Sequence, residues 1–106
     1  MLLYIAPFSP DEKMAGMSKE EMDNMMKPWM AWKDKVGSAM VDFGNPMVHG
    51  MRYSRTGSSN AQAQVTGYTI VQAEDMEEVH KMLEGHPYME MSETSVEVYE
   101  LMPMAM

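Results

Sequence analysis

The chain has 106 residues, 45% of them hydrophobic and 23% charged, which is the usual size and balance of one soluble globular domain. Its 16 acidic residues against 8 basic ones give a formal charge of −8, and no Lys/Arg cluster offsets it locally, Arg52 and Arg55 being a mere pair in a loop, so nucleic acid and anionic membrane are poor partners. It contains no cysteine, which excludes disulfides, a thiolate nucleophile and a Cys-based zinc site.

The first apolar run, residues 2 to 8, reads as a buried strand ended by Ser9-Pro10. It lacks a basic leader and runs into Asp11-Glu12-Lys13, so neither a signal peptide nor a membrane span is expected, and the cytoplasm is the expected location. Ser18 then opens a helix, with Glu21 at the capping-box spacing and Met17 and Met22 placed as a hydrophobic staple. Met22, Met25, Met26, Trp29, Trp32 and Val36 repeat at helical spacing, and Gly37 is a natural stop. Pro28 lies inside that run, where it costs about 3 kcal/mol in an unbroken helix; a kink or break near Met25 is expected.

A second strand is expected over about 39 to 48, bent by Gly44-Asn45-Pro46, with a loop over 54 to 60 and a third strand over about 64 to 73. Asp75 and Glu78 open a second helix whose apolar positions are Met76, Val79, Met82 and Leu83, and Gly85 followed by Pro87 closes it. A fourth strand spans 95 to 101. The order βαββαβ makes one α+β domain over residues 1–106, with two helices able to cover one face of the sheet. The strands nevertheless carry bulky groups on both faces: Leu2, Tyr4 and Ala6 against Leu3 and Ile5, and Val98 against Tyr99 and Leu101. A half-solvated antiparallel sheet alternates more cleanly, so the second face is expected to pair with a second copy of the chain as a homodimer.

The stretches Val65-Thr66-Gly67-Tyr68-Thr69-Ile70-Val71-Gln72-Ala73, Asp75-Met76-Glu77-Glu78, Gly85-His86-Pro87-Tyr88, Ser95-Val96-Glu97-Val98-Tyr99-Glu100 and Met102-Pro103-Met104 resemble the YciI/DGPF-like (YCII-related) small proteins. Trp29, Trp32 and Asp42-Phe43-Gly44 add to the likeness, which spans about 17 to 104. The resemblance implies a ferredoxin-like antiparallel sheet paired into a dimeric α+β barrel. Some relatives pair a histidine of the first helix with an aspartate of the next strand. Here no histidine precedes His49, so that dyad is absent from its usual place.

Candidate chemistry centres on His86 and Glu97 as catalytic groups, with Tyr68, His86, Glu97 and His49 as ligand-binding residues, all expected at one end of the sheet. Glu97 sits between Val96 and Val98: facing an interior it would be a raised-pKa base, facing solvent an ordinary strand charge. His86 is equally suited to complementing a helix C-terminus, and Asp42 to holding the Gly44-Asn45-Pro46 bend at the opposite end of the sheet. Met89-x-Met91 and Met102-x-Met104-x-Met106 have spacings that suit Cu(I), yet methionine more often fills cores in place of leucine. No metal and no cofactor is expected, since neither a ligand spacing nor a glycine-rich phosphate cradle occurs. Two functions follow: a small-molecule pocket in the dimeric barrel, with or without acid/base chemistry, or a non-catalytic dimeric accessory protein. An acidic pocket would favour cationic or neutral ligands.

Overall fold

The computed structural model describes residues 1–61 and 64–104. Its elements run β1 (Leu2–Ile5), α1 (Pro10–Met14), α2 (Lys19–Val36), a 3-10 turn (Gly37–Ala39), β2 (Met40–Asp42), β3 (Met51–Ser54), β4 (Gly57–Asn60), β5 (Val65–Val71), α3 (Met76–Met82), α4 (Pro87–Glu90) and β6 (Ser95–Val98). One sheet has the order β2-β5-β1-β6 with antiparallel neighbours throughout; β3 and β4 form a separate hairpin. The fold class is α+β, as the sequence implies.

The two helix starts read from the sequence are present. The Ser18 side chain accepts the Glu21 N–H at 3.1 Å, and the Asp75 carboxylate accepts the Glu78 N–H at 2.9 Å. Each bond satisfies an amide that the first helical turn leaves without a partner. The Glu78 carboxylate reaches back to the Glu74 N–H at 2.7 Å, one residue beyond the usual capping-box partner.

Helix α2 runs through Pro28 without the expected break. Pro28 and Asn24, whose carbonyl loses its i+4 donor, are both exposed residues, so the missing bond falls on the solvent side of the helix. Helix α1 adds to the expected elements: Ser9-Pro10 ends a strand but also starts a helix, with proline in the first turn and acids behind it.

The larger correction lies between Phe43 and Asn60. The second strand is only Met40–Asp42, and much of the expected 54-to-60 loop belongs to the β3–β4 hairpin. Every residue of that hairpin is exposed. Met51 and Tyr53 alternate with Arg52 and Ser54 in β3, but β4 is Gly-Ser-Ser-Asn with no apolar residue, so the partner strand reads as loop. The arm also helps to explain a radius of gyration of 15.4 Å, against about 13 Å for a compact chain of this length.

The core lies on one side of the four-stranded sheet. Leu2, Tyr4 and Ala6 of β1 pack with Trp32 of α2, Val79 of α3 and Tyr88 of α4. The large side chains among them each contribute roughly 1.5–3 kcal/mol on leaving water, and Ala6 less. The Trp32 indole N–H donates to the Met82 carbonyl at 2.7 Å, tying α2 to the last turn of α3.

The other sheet face has no helix. Leu3 pairs with Tyr68 on one side and Glu97 on the other, so these three share that face, and Leu3, Ile5, Tyr68 and Ile70 are half-buried on it.

Candidate functional site

A pocket of about 190 Å³ opens between α1, the first half of α2 and the helix-covered face of the sheet. Along α2, Trp32 is buried and Trp29 and Met25 are half-buried, while Met26 is exposed at the opening. The gap is walled by Phe8, Met14, Phe43 and Met91 and nearly all of its lining is apolar. It is larger than the ~150 Å³ apolar cavity that accepts benzene, so a single-ring molecule fits.

The loop at 43–46 closes one wall. Gly44 has φ +81°, and a Cβ there would lie 1.8 Å from the Tyr68 carbonyl oxygen, so only glycine permits this approach. The Gly44 N–H donates to Asp42 Oδ1 at 2.9 Å, which is the support of the bend expected of Asp42. Asp42 is not remote from Tyr68, however, because the Tyr68 hydroxyl donates to Asp42 Oδ2 at 3.4 Å.

Two hydroxyl pairs lie beneath the pocket. The register of β1 against β5 slips between Tyr4 and Ile5, and this bulge leaves Thr66 with its hydroxyl 2.8 Å from that of Tyr88. Thr66 Oγ1 also donates to the Tyr4 carbonyl at 3.3 Å, which leaves the Tyr88 hydroxyl as donor to Thr66. In the second pair Thr69 Oγ1 donates to the Phe43 carbonyl at 2.8 Å, so the Tyr4 hydroxyl donates to Thr69 at 2.5 Å. Each hydroxyl has one proton, and all four are committed to the protein itself. Burial pushes the Tyr4 phenol up to about 12, so it stays protonated.

His86 lies behind this wall, fully buried, with its ring centroid 4.4 Å from Trp32, 4.7 Å from Trp29 and 5.0 Å from Tyr4. Its Nδ1 accepts the Tyr88 N–H at 2.9 Å, capping the start of α4. The expected role at the end of a helix is thus replaced by a role at a beginning, because Pro87 starts a new helical turn. With Nδ1 accepting, the proton of the neutral ring sits on Nε2, which has no hydrogen-bond partner among the described residues. Burial lowers the His86 pKa to about 4, so the ring is neutral at pH 7.

The four residues expected to converge do not share one pocket in this chain. Tyr68 borders the pocket although it pairs with Leu3 on the helix-free face, and His86 backs it, whereas Glu97 is exposed on that helix-free face away from the pocket. Glu97 and Tyr68 flank Leu3, two strand spacings or about 10 Å apart. The Tyr99 hydroxyl donates to Glu97 Oε1 at 3.1 Å, and that anion raises the Tyr99 pKa. His49 is an exposed residue with φ +56°; its Nε2 lies 3.1 Å from Asp11 Oδ2 on α1. Asp11 is held below the usual carboxylate range first by the Ser9 hydroxyl and further by His49.

Tyr4, Trp29, Thr66 and Tyr88, central to the pocket, are not among the expected site residues. Their sequence signals look like those of a core: a helical stripe and an alternating strand. Of the methionines with spacings suited to Cu(I), Met89, Met91, Met102 and Met104 are exposed, and Met106 lies outside the described residues. Among the described residues no cluster of three or more His, Asp or Glu could hold a metal, and no helix is long and apolar enough to cross a membrane. A second depression, of about 340 Å³, lies between the end of β6 and the start of α3; it is more polar and is walled partly by Met1 and Leu101.

These features define an α+β protein with an antiparallel sheet, helices on one side of it and an aromatic pocket between them. The chain belongs to the YCII-related family: the model of the YCII-related domain matches residues 2–105, essentially the whole chain. No curated protein and no solved structure matches it.

Proposed function

We propose that this YCII-related protein binds a small, largely apolar molecule in the pocket beneath α2, and that it works as a homodimer. The observation that carries the reading is a single-ring-sized apolar space whose floor hydroxyls have no proton to spare, bounded by aromatic and methionine side chains. Among the described residues no carboxylate and no histidine lines it, so binding fits the geometry better than acid/base turnover. The strand order β2-β5-β1-β6, with antiparallel neighbours, supports the ferredoxin-like βαββαβ arrangement of one domain, the hairpin being an insertion between its second and third sheet strands.

The dimer is the natural cover for the helix-free face, where Leu3, Ile5, Tyr68 and Ile70 stand without a helix and Val41 and Tyr99 are exposed. In a dimeric α+β barrel Glu97 becomes an interface residue. Binding is tested with benzyl alcohol, a neutral single-ring probe, followed by tryptophan fluorescence and amide NMR shifts. Saturable changes at Trp29, Tyr88 and Thr66, weakened by Met26→Trp across the opening, support the pocket. Changes confined to other surfaces, or none at millimolar probe, refute it.

A further inference from the structure

The charge at the pocket opposes that of the molecule. The protein carries −8 overall, yet among the described residues the only charged side chain lining the pocket is Lys13. This reverses the expectation of an acidic pocket suited to cations. Helix α1 places Lys13 at the rim, where its Nζ stands 4.3 Å over the Phe8 ring, an arrangement that orients the ammonium without neutralising it. The nearby carboxylate of Asp11 is occupied by the Ser9 hydroxyl, the Glu12 N–H and His49.

The floor reinforces the asymmetry. The hydroxyls of Tyr4, Thr66 and Tyr88, which line it, all donate within the protein, so an anionic group placed against them meets their lone pairs. At the rim it meets three N–H donors and a full positive charge. A molecule that satisfies both ends therefore has an apolar ring inside and one anionic group at the opening.

We propose that the ligand class is an aryl-alkyl monocarboxylate: one ring on a short tether, its carboxylate paired with Lys13. This rests on the pocket beneath α2 being a binding site, and it adds the charge and orientation of what is bound. The volume of about 190 Å³ leaves space beyond the ~150 Å³ that accepts benzene, consistent with a tether of two or three carbons. Because Lys13 is exposed, the ion pair is partly screened and gives selectivity more than affinity.

The test compares 3-phenylpropanoate, 3-phenylpropanamide and 3-phenylpropan-1-amine by fluorescence and NMR titration at 50 mM and 300 mM salt. The acid is expected to bind about three- to tenfold tighter than the amide, the amine more weakly than either, with the acid's advantage shrinking at high salt. Lys13→Gln should bring the acid-to-amide ratio close to one, and Lys13→Arg should keep it above one. Equal affinities for acid and amide in the unaltered protein overturn the carboxylate proposal while leaving the pocket intact. An undiminished ratio in Lys13→Gln overturns the assignment to Lys13. Absence of binding by all three probes overturns the pocket reading and this proposal with it.

Discussion

The Tyr88 N–H donates to Nδ1 of His86 at 2.9 Å, so the residue that caps α4 is an imidazole sealed among aromatic rings. The bond fixes the tautomer and joins the cap to the wall of the pocket. A proton added to Nδ1 breaks the bond and places a cation where water cannot reach it.

A pH dependence follows with a definite sign. The His86 pKa falls from 6.5 to about 4 on folding, so above pH 6.5 both states are neutral and the full stability is present. Between pH 6.5 and 4 the unfolded chain takes up a proton that the native state refuses. Stability therefore drops as pH falls through this window, by up to about 3 kcal/mol, and this contribution levels off below it. Urea unfolding at fixed protein concentration from pH 7.5 to 4.5 reads the slope, and His86→Asn, which keeps a cap acceptor, should flatten it. Parallel curves for the two proteins would show that His86 does not set the acid sensitivity.

Gly44 and Gly85 share φ +81° but differ in their surroundings. At Gly85 nothing lies within 4 Å of the place a Cβ would take, so Gly85→Ala meets only the backbone preference, about 1–2 kcal/mol. Gly44→Ala adds a collision with the Tyr68 carbonyl and should cost about 3 kcal/mol or more, with loss of probe binding. Denaturant midpoints for the pair measure the difference; equal losses would mean that the 43–46 wall moves freely.

The Asp75 cap should be worth about 1 kcal/mol, the usual loss when an N-cap acceptor becomes alanine. Asp75→Ala and Asp75→Ser, compared by thermal unfolding, test it: serine should recover most of the stability. No loss with alanine would show that another group satisfies the Glu78 amide.

Trp32→Phe removes the donor that the Met82 carbonyl uses and leaves a small void between α2 and α3. A loss of about 1–3 kcal/mol is expected. Faster amide hydrogen exchange in α3 than in β1 would place the damage at that junction; uniform change would not.

Sedimentation at micromolar concentration should give about twice 12.1 kDa. Ile70→Lys, which puts a charge on the helix-free face, should shift the protein toward monomer, whereas Glu77→Lys on exposed α3 should not. A monomeric, stable starting protein would show that this face tolerates water.

Much of the architecture is legible in the chain because it is written in local chemistry. Ser18 with Glu21 and Asp75 with Glu78 mark helix starts, since a side-chain oxygen three residues from an amide satisfies it in any context. The apolar start marks β1, and the likeness to the YCII-related family, carried by motifs scattered from Val65 to Met104, holds across residues 2–105. Helix α1 is not among the expected elements, because Ser9-Pro10 reads as a strand end alone, and the same proline also begins a helix.

The pocket was decided by the tertiary structure. Which hydroxyl meets Tyr88 depends on a one-residue slip between β1 and β5, and no spacing in the sequence records a slip in pairing between strands about 60 residues apart, the separation of Tyr4 and Thr66. The same stripe of Met25, Met26, Trp29 and Trp32 describes a filled core or a vacant groove, according to how closely the helix approaches the sheet. His86 shows the same division: Gly85-His86-Pro87 announces a turn, but only the packing of Tyr4, Trp29 and Trp32 around the ring makes it a buried neutral base. Local periodicity specifies which side of an element turns inward; the distance between elements, and hence the space left for a ligand, arises from the summed packing of side chains far apart in sequence.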